Sequence, residues 1–162
     1  MPPEVYAIEG FETWEELRSM SGLRHGGAII IERGADLSRK AIKGARLVDC
    51  DLRDSNLEGV MLDDANLDGS NLRGASARFA VLRGTSFVGA DLRGVDFRRS
   101  DFRDGNLRWA NLRNSDLRDA NLTRVSSSNA SFEGANLDGA VASDSDFFAP
   151  GWKIVAGRLR RA

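Results

Sequence analysis

Residues 90–124 read ADLRG VDFRR SDFRD GNLRW ANLRN SDLRD ANLTR, seven five-residue phrases with no gap between them. Extending that register outward gives 23 units in unbroken phase, from Ala35 to Ala149. The third residue, the centre, is Leu in 14 units and Phe in five, with Ile42, Ala77, Ala142 and Ser127 filling the rest. The first residue is small or β-branched everywhere except Lys40. The second is most often Asp, Asn or Ser, the fourth often Arg, and the fifth is Gly in nine units.

A five-residue period excludes both common elements. On an α-helix each step of five rotates by about 140°, which scatters the centres around the axis. On a flat strand an odd period sends alternate centres to opposite faces. A chain that turns about 90° every five residues keeps all centres inside, and four units then close a square coil of about 20 residues. Coils stack at roughly 4.8 Å and share backbone hydrogen bonds. Glycine at the fifth position suits a turn with positive φ. Asp and Asn at the second position suit side-chain bonds to nearby backbone at the corners. Lys40, a charge at an inward position, is expected to make the first coil irregular.

The units ADLRG, ANLRN, SNLRG and ANLDG resemble the A(D/N)LXX units of the pentapeptide-repeat family. The resemblance spans about 115 of 162 residues and implies an all-β solenoid, a right-handed quadrilateral β-helix. Stacking by twenties predicts four interior columns, one of them Leu52, Leu72, Leu92, Leu112 and Phe132. Ala77 shares a coil with Phe87 and precedes Phe97 by one coil, an arrangement that compensates volume in a close-packed core. Cys50 takes an inward first position and reads as a packed thiol, not a nucleophile.

A stacked coil leaves open ends, so three regions are expected: an N-terminal cap over 1–34, the β-helix over 35–149, and a C-terminal cap over 150–162. Thr13 and Glu16 form a capping box for a short helix from about Trp14 to Met20, stopped by Gly22. GGAIIIERG, residues 26–34, reads as a strand entering the first coil. After Pro150, GWKIVAGRLRRA reads as strand, Ala-Gly turn and strand: a hairpin over the last coil, with Trp152, Ile154 and Leu159 as its apolar contacts.

Little here suggests catalysis. The one cysteine, Cys50, excludes an intrachain disulfide and fits a reducing compartment. The one histidine, His25, excludes a multi-histidine metal site within one chain. No nucleophile–base set or phosphate-cradling loop is evident, so no enzyme activity, cofactor or metal is expected. No apolar run approaches a membrane span, and the acidic N-terminus lacks the features of a secretory signal, so a cytoplasmic protein is expected.

Charge is balanced overall, 23 basic against 24 acidic residues, but segmented along the chain. Residues 45–69 carry two Arg and seven acids, 70–124 carry 11 Arg and six Asp, and 125–149 carry four acids and no base. Arginines stack in columns, such as Arg53, Arg73, Arg93 and Arg113. Two readings stand: a self-compensated Arg/Asp ladder, or an arginine face for an acidic partner. Phe79 and Trp109 fall at outward fifth positions, and Trp with Arg is the chemistry of interface hot spots. The candidate partner-binding edge is therefore Trp109 with Arg93, Arg108 and Arg113. The balanced charge makes direct nucleic-acid binding unfavoured.

These features point to a non-enzymatic, rigid protein-interaction or structural module, an accessory component of a larger assembly, with the C-terminal end available for self-association. The resemblance implies one alternative, a DNA-mimicking regulator of DNA gyrase like the Qnr-type members. That mimicry requires a strongly acidic face, and the central arginine belt works against it.

Overall fold

The computed structural model describes residues 33–143 and 149–162. Within them the chain climbs as a right-handed square coil. Parallel bridges join second-position residues 20 apart without a slip, from Asp36↔Asn56 to Asp116↔Asn136. The ladder ends in two regular strands, β1 (Asn121–Leu122) and β2 (Val141–Ala142), paired parallel at Asn121↔Val141.

One unit, Ser100–Asp104, shows why five residues suffice. The Ser100 N–H closes the preceding turn onto the Phe97 carbonyl (3.1 Å). The Asp101 N–H donates down to Ala80 (2.9 Å), while those of Phe102 and Asp104 donate up to Asn121 (2.8 Å) and Thr123 (3.1 Å). Only the fourth N–H, that of Arg103, has no backbone partner, and the Asp101 carboxylate accepts it at 3.2 Å. The same cap recurs from Asn56 to Glu58, Asn71 to Arg73, Asp91 to Arg93 and Asn111 to Arg113. The second-position preference for Asp and Asn is therefore the backbone's own demand for an acceptor.

The centres fill the interior as expected, and the column Leu52, Leu72, Leu92, Leu112 and Phe132 is buried throughout. Phe102 touches Phe87 with ring centroids 5.9 Å apart and meets Phe97 edge-on at 4.9 Å. Cys50 is buried, and desolvation, helped by Asp49, pushes its thiol up to about 11. The buried hydroxyls of Thr85 and Ser115 donate to the carbonyls of Leu62 (2.7 Å) and Leu112 (2.7 Å), whereas that of Ser55 has no hydrogen-bond partner.

The positive φ expected at the fifth position extends to every such residue from Arg39 to Gly139, twelve of them non-glycine. Turn geometry, not residue identity, dictates the conformation. One expectation needs revision: Lys40 leaves the first coil regular, because the ladder runs through it, with Met61 N–H donating to the Lys40 carbonyl (2.9 Å). Lys40 is only partly buried, so its chain need not enter the core.

The chain closes with the hairpin read from the sequence. β3 (Trp152–Val155) and β4 (Arg158–Arg161) pair antiparallel around Ala156 (φ 50°) and Gly157 (φ 74°), the dihedral signature of a type I′ turn. β4 lies on β2, giving the sheet order β1-β2-β4-β3. The Leu159 N–H donates to Ala140 (2.7 Å), its side chain is buried, and Arg160 reaches Asp138 (2.5 Å). The expected N-terminal helix (Trp14 to Met20), the strand at 26–34 up to Glu32, His25 and Phe147 lie outside the described residues. Among the described residues no helix is long and apolar enough to cross a membrane.

Candidate interaction surface

The arginine columns sort by their neighbour two residues back. Where that residue is Asp, the guanidinium folds onto it. Arg93 grips Asp91 through Nε (2.7 Å) and Nη2 (2.5 Å). Arg53–Asp51, Arg98–Asp96, Arg103–Asp101 and Arg118–Asp116 repeat the clamp. These bonds hold the Asp91 and Asp96 carboxyls below the usual carboxylate range. At Asp101 burial pushes the other way, but hydrogen bonds from Arg103 and Arg83 outweigh it and lower the pKa to about 2.

Where the second residue is Asn or Ser the clamp is missing, because neither carries charge. Arg113 then reaches up to Glu133 (2.7 Å). Arg73, Arg78 and Arg108 form no ion pair among the described residues, and neither does the corner residue Arg99. The belt is thus a compensated ladder interrupted by a few guanidinium groups that form no ion pair, of which Arg73 and Arg78 act on Asp91 and Asp96 only as nearby charges.

The four residues singled out from the sequence take different places in this scheme. Trp109 is 61% exposed, in a left-handed backbone (φ 62°), and no guanidinium stacks on it among the described residues. Arg108, beside it in sequence, is exposed, and only its backbone N–H is capped, by Asn106 (3.2 Å). Arg113 and Arg93 stand one above the other on the next face, committed to Glu133 and Asp91.

A second aromatic corner was legible only in part. Phe79 is 41% exposed, and the guanidinium carbons of Arg78 and Arg99 lie over its ring, 5.4 and 5.8 Å from the centroid. The signal was Ser76: with no carboxylate at the second position, Arg78 is released to the ring. Among the described residues no group of three or more His, Cys, Asp or Glu side chains is placed to hold a metal ion.

A family model described as Pentapeptide repeats matches in 8 copies, over residues 33–74, 65–104, 78–114 and 115–148. The chain belongs to the pentapeptide repeat family, whose members are generally non-enzymatic structural modules. No curated protein matches it. Among solved structures it is similar to the pentapeptide repeat protein Rfr23 from the cyanobacterium Cyanothece 51142, at 22% identity and TM-score 0.36, over 75% of this chain and 69% of that one. Trypsin-treated QnrB1, a plasmid-mediated fluoroquinolone resistance protein, aligns at 24% identity and TM-score 0.40, over 65% of this chain and 58% of that one. HetL from Nostoc sp. strain PCC 7120, involved in heterocyst differentiation regulation, aligns at 26% identity and TM-score 0.28, over 72% and 65%. Membership of the family rests on the repeat match, not on these superpositions.

Proposed function

We propose that the protein is a rigid interaction module that holds a partner protein at the Trp109 corner. The observation that carries this reading is Trp109 itself. It is the most exposed large apolar side chain among the described residues, and it occupies a left-handed backbone that costs a non-glycine residue about 1–2 kcal/mol. The other fifth positions share that backbone, so the exposed indole, not the strain, is what distinguishes this corner. Arg108 adds an uncompensated cation, and Arg113 and Arg93 extend the basic edge, able to exchange Glu133 and Asp91 for acidic groups on a partner. The outer edge of β3 is a further route to self-association.

Purified wild type and Trp109→Ala, compared as baits with mass spectrometry, test the reading. We expect equal melting temperatures and at least one partner whose affinity drops roughly tenfold in the variant, as removal of an interface anchor does. Arg93→Glu with Arg113→Glu should add a salt-sensitive loss. If the partners bind both variants as tightly as wild type, Trp109 is not the anchor. A gyrase-directed DNA mimic would need a continuous acidic face, whereas carboxylates in the central belt are clamped by arginine. A supercoiling assay with the purified protein should accordingly show no effect.

A further inference from the structure

We infer that the Phe79 corner is a second, independent docking point, shaped for an acidic protein segment that sets a carboxylate beside an apolar side chain. Two guanidinium groups without an ion pair, Arg78 and Arg99, converge on one exposed ring. In the rest of the belt, Asp91, Asp96, Asp101 and Asp116 each hold an arginine of their own. Here no acid forms an ion pair with either guanidinium. Asp96 is clamped by Arg98 and feels Arg78 only as a nearby charge. Asp119, the next corner residue above Arg99, leans over Gly139 instead. Glu58, one coil below Arg78 in its column, forms no ion pair with it.

Arg78 is also held at a cost. Its Nε is buried and has no hydrogen-bond acceptor. A guanidinium donor left dry is destabilising, and the ring contact returns only part of that. Swinging out to grip a carboxylate through Nε and Nη would satisfy the donor and uncover Phe79 for an apolar neighbour of that carboxylate. Bidentate geometry and charge favour a carboxylate over a neutral amide. The surrounding residues 70–124, with 11 Arg and six Asp, supply long-range attraction of the same sign.

The two aromatic corners do not share a face. Phe79 and Trp109 end units 30 residues apart, one and a half coils, which puts them on diagonally opposite edges of the square, offset along the axis by about 7 Å. One partner on a single face cannot use both.

The probe is a fluorescein-labelled peptide alternating Glu and Leu, titrated by anisotropy at low salt against the full chain. Wild type should bind it and ignore the Gln/Leu analogue. Arg78→Ala and Arg99→Ala should each weaken binding about five- to tenfold, and Arg78→Lys should lose most of that, because lysine keeps the charge but not the fork. Arg118→Ala, which removes an Asp-clamped arginine from the same column, should stay within twofold. Thermal melts establish that each variant is folded, and Arg99→Ala serves alone if Arg78→Ala is not. An equal loss with Arg118→Ala would reduce the effect to bulk charge and overturn the inference. A loss with Trp109→Ala but not with the Arg78 or Arg99 variants would move the peptide to the other corner, overturning this inference while leaving the proposed function standing. Tighter binding of a single-stranded oligonucleotide of equal charge would make the occupant a nucleic acid and overturn it as well.

Discussion

At a corner of the square, two requirements fall on one residue. The fifth position must be left-handed, and at several places it must also leave room. A Cβ on Gly74 or Gly139 would stand 2.6 Å from Oδ1 of Asp54 or Asp119, the corner residue one coil below. Gly69, Gly84 and Gly134 are more crowded still, against Asp49, Asp64 and Asn114. Gly94 has the same conformation (φ 65°) with nothing within 4 Å. Gly94→Ala should therefore cost only the backbone term, about 1 kcal/mol. Gly84→Ala should cost slightly more, because the Asp64 carboxylate must swing aside, and adding Asp64→Ala should recover the difference. Equal losses in denaturant titrations of the two single variants would refute the crowding argument. The conformation was legible in the sequence from the nine glycines, but the crowding was not: it depends on a residue twenty positions away leaning along the axis.

Asp101 gives this scale a pH signature. Its folded pKa, about 2, lies below that of a free aspartate near 4. A depressed carboxyl stabilises the fold above the unfolded value and ceases to do so as pH falls through the folded one. Asp91 and Asp96 shift the same way. The melting temperature should be flat from about pH 7 to 5 and fall between about pH 4 and 2. Asp101→Asn should lower the plateau and shallow the fall. An unchanged profile would mean that Asp101 contributes no pH dependence.

The repeating units and the terminal hairpin differ in how they are held. A coil face exchanges hydrogen bonds with the coils on either side, so its short bridges need no strand of their own. The hairpin uses β4 to finish the last ladder and leaves β3 at the rim. Leu159 is the buried peg of this cap, and Leu159→Ala should cost about 2–4 kcal/mol. Removing residues 150–162 should expose the edge of β2 and cause aggregation or a change of oligomeric state, read by sedimentation velocity. Unchanged sedimentation and melting would show that the hairpin is not a cap. This element was readable because Ala-Gly sits between alternating residues. Its docking partner, the Val141 face, was not, since it follows from which side of the square the chain leaves.

Taken whole, the molecule is a stack in which each coil rests on its neighbours, so local damage propagates along the axis. Leu92 lies fully buried between Leu72 and Leu112 in its column. Leu92→Ala should cost about 2–5 kcal/mol, while Leu92→Asp should abolish cooperative unfolding by placing an unpaired carboxylate in the core. A wild-type melt for the Asp variant would contradict the inward assignment. Within the described residues the coil was legible almost entirely at this scale, because one period of five fixes face, column and register together. The surface was legible only as columns. Which arginines are clamped within their own unit depends on whether its second residue carries a charge, and which of the rest find an acid depends on the neighbouring coil, as Arg83 and Arg113 do; summing charge along the chain averages both away.

The unbroken twenty-residue ladder makes chain length equivalent to angle. Deleting twenty residues would take out one storey and leave every remaining column aligned. Deleting five, Thr85–Gly89 for instance, would instead turn everything above the cut by a quarter and carry Trp109 from the edge diagonal to Phe79 to one adjoining it. In such a protein the number of residues between two surface groups is itself the instruction that sets which way each of them faces.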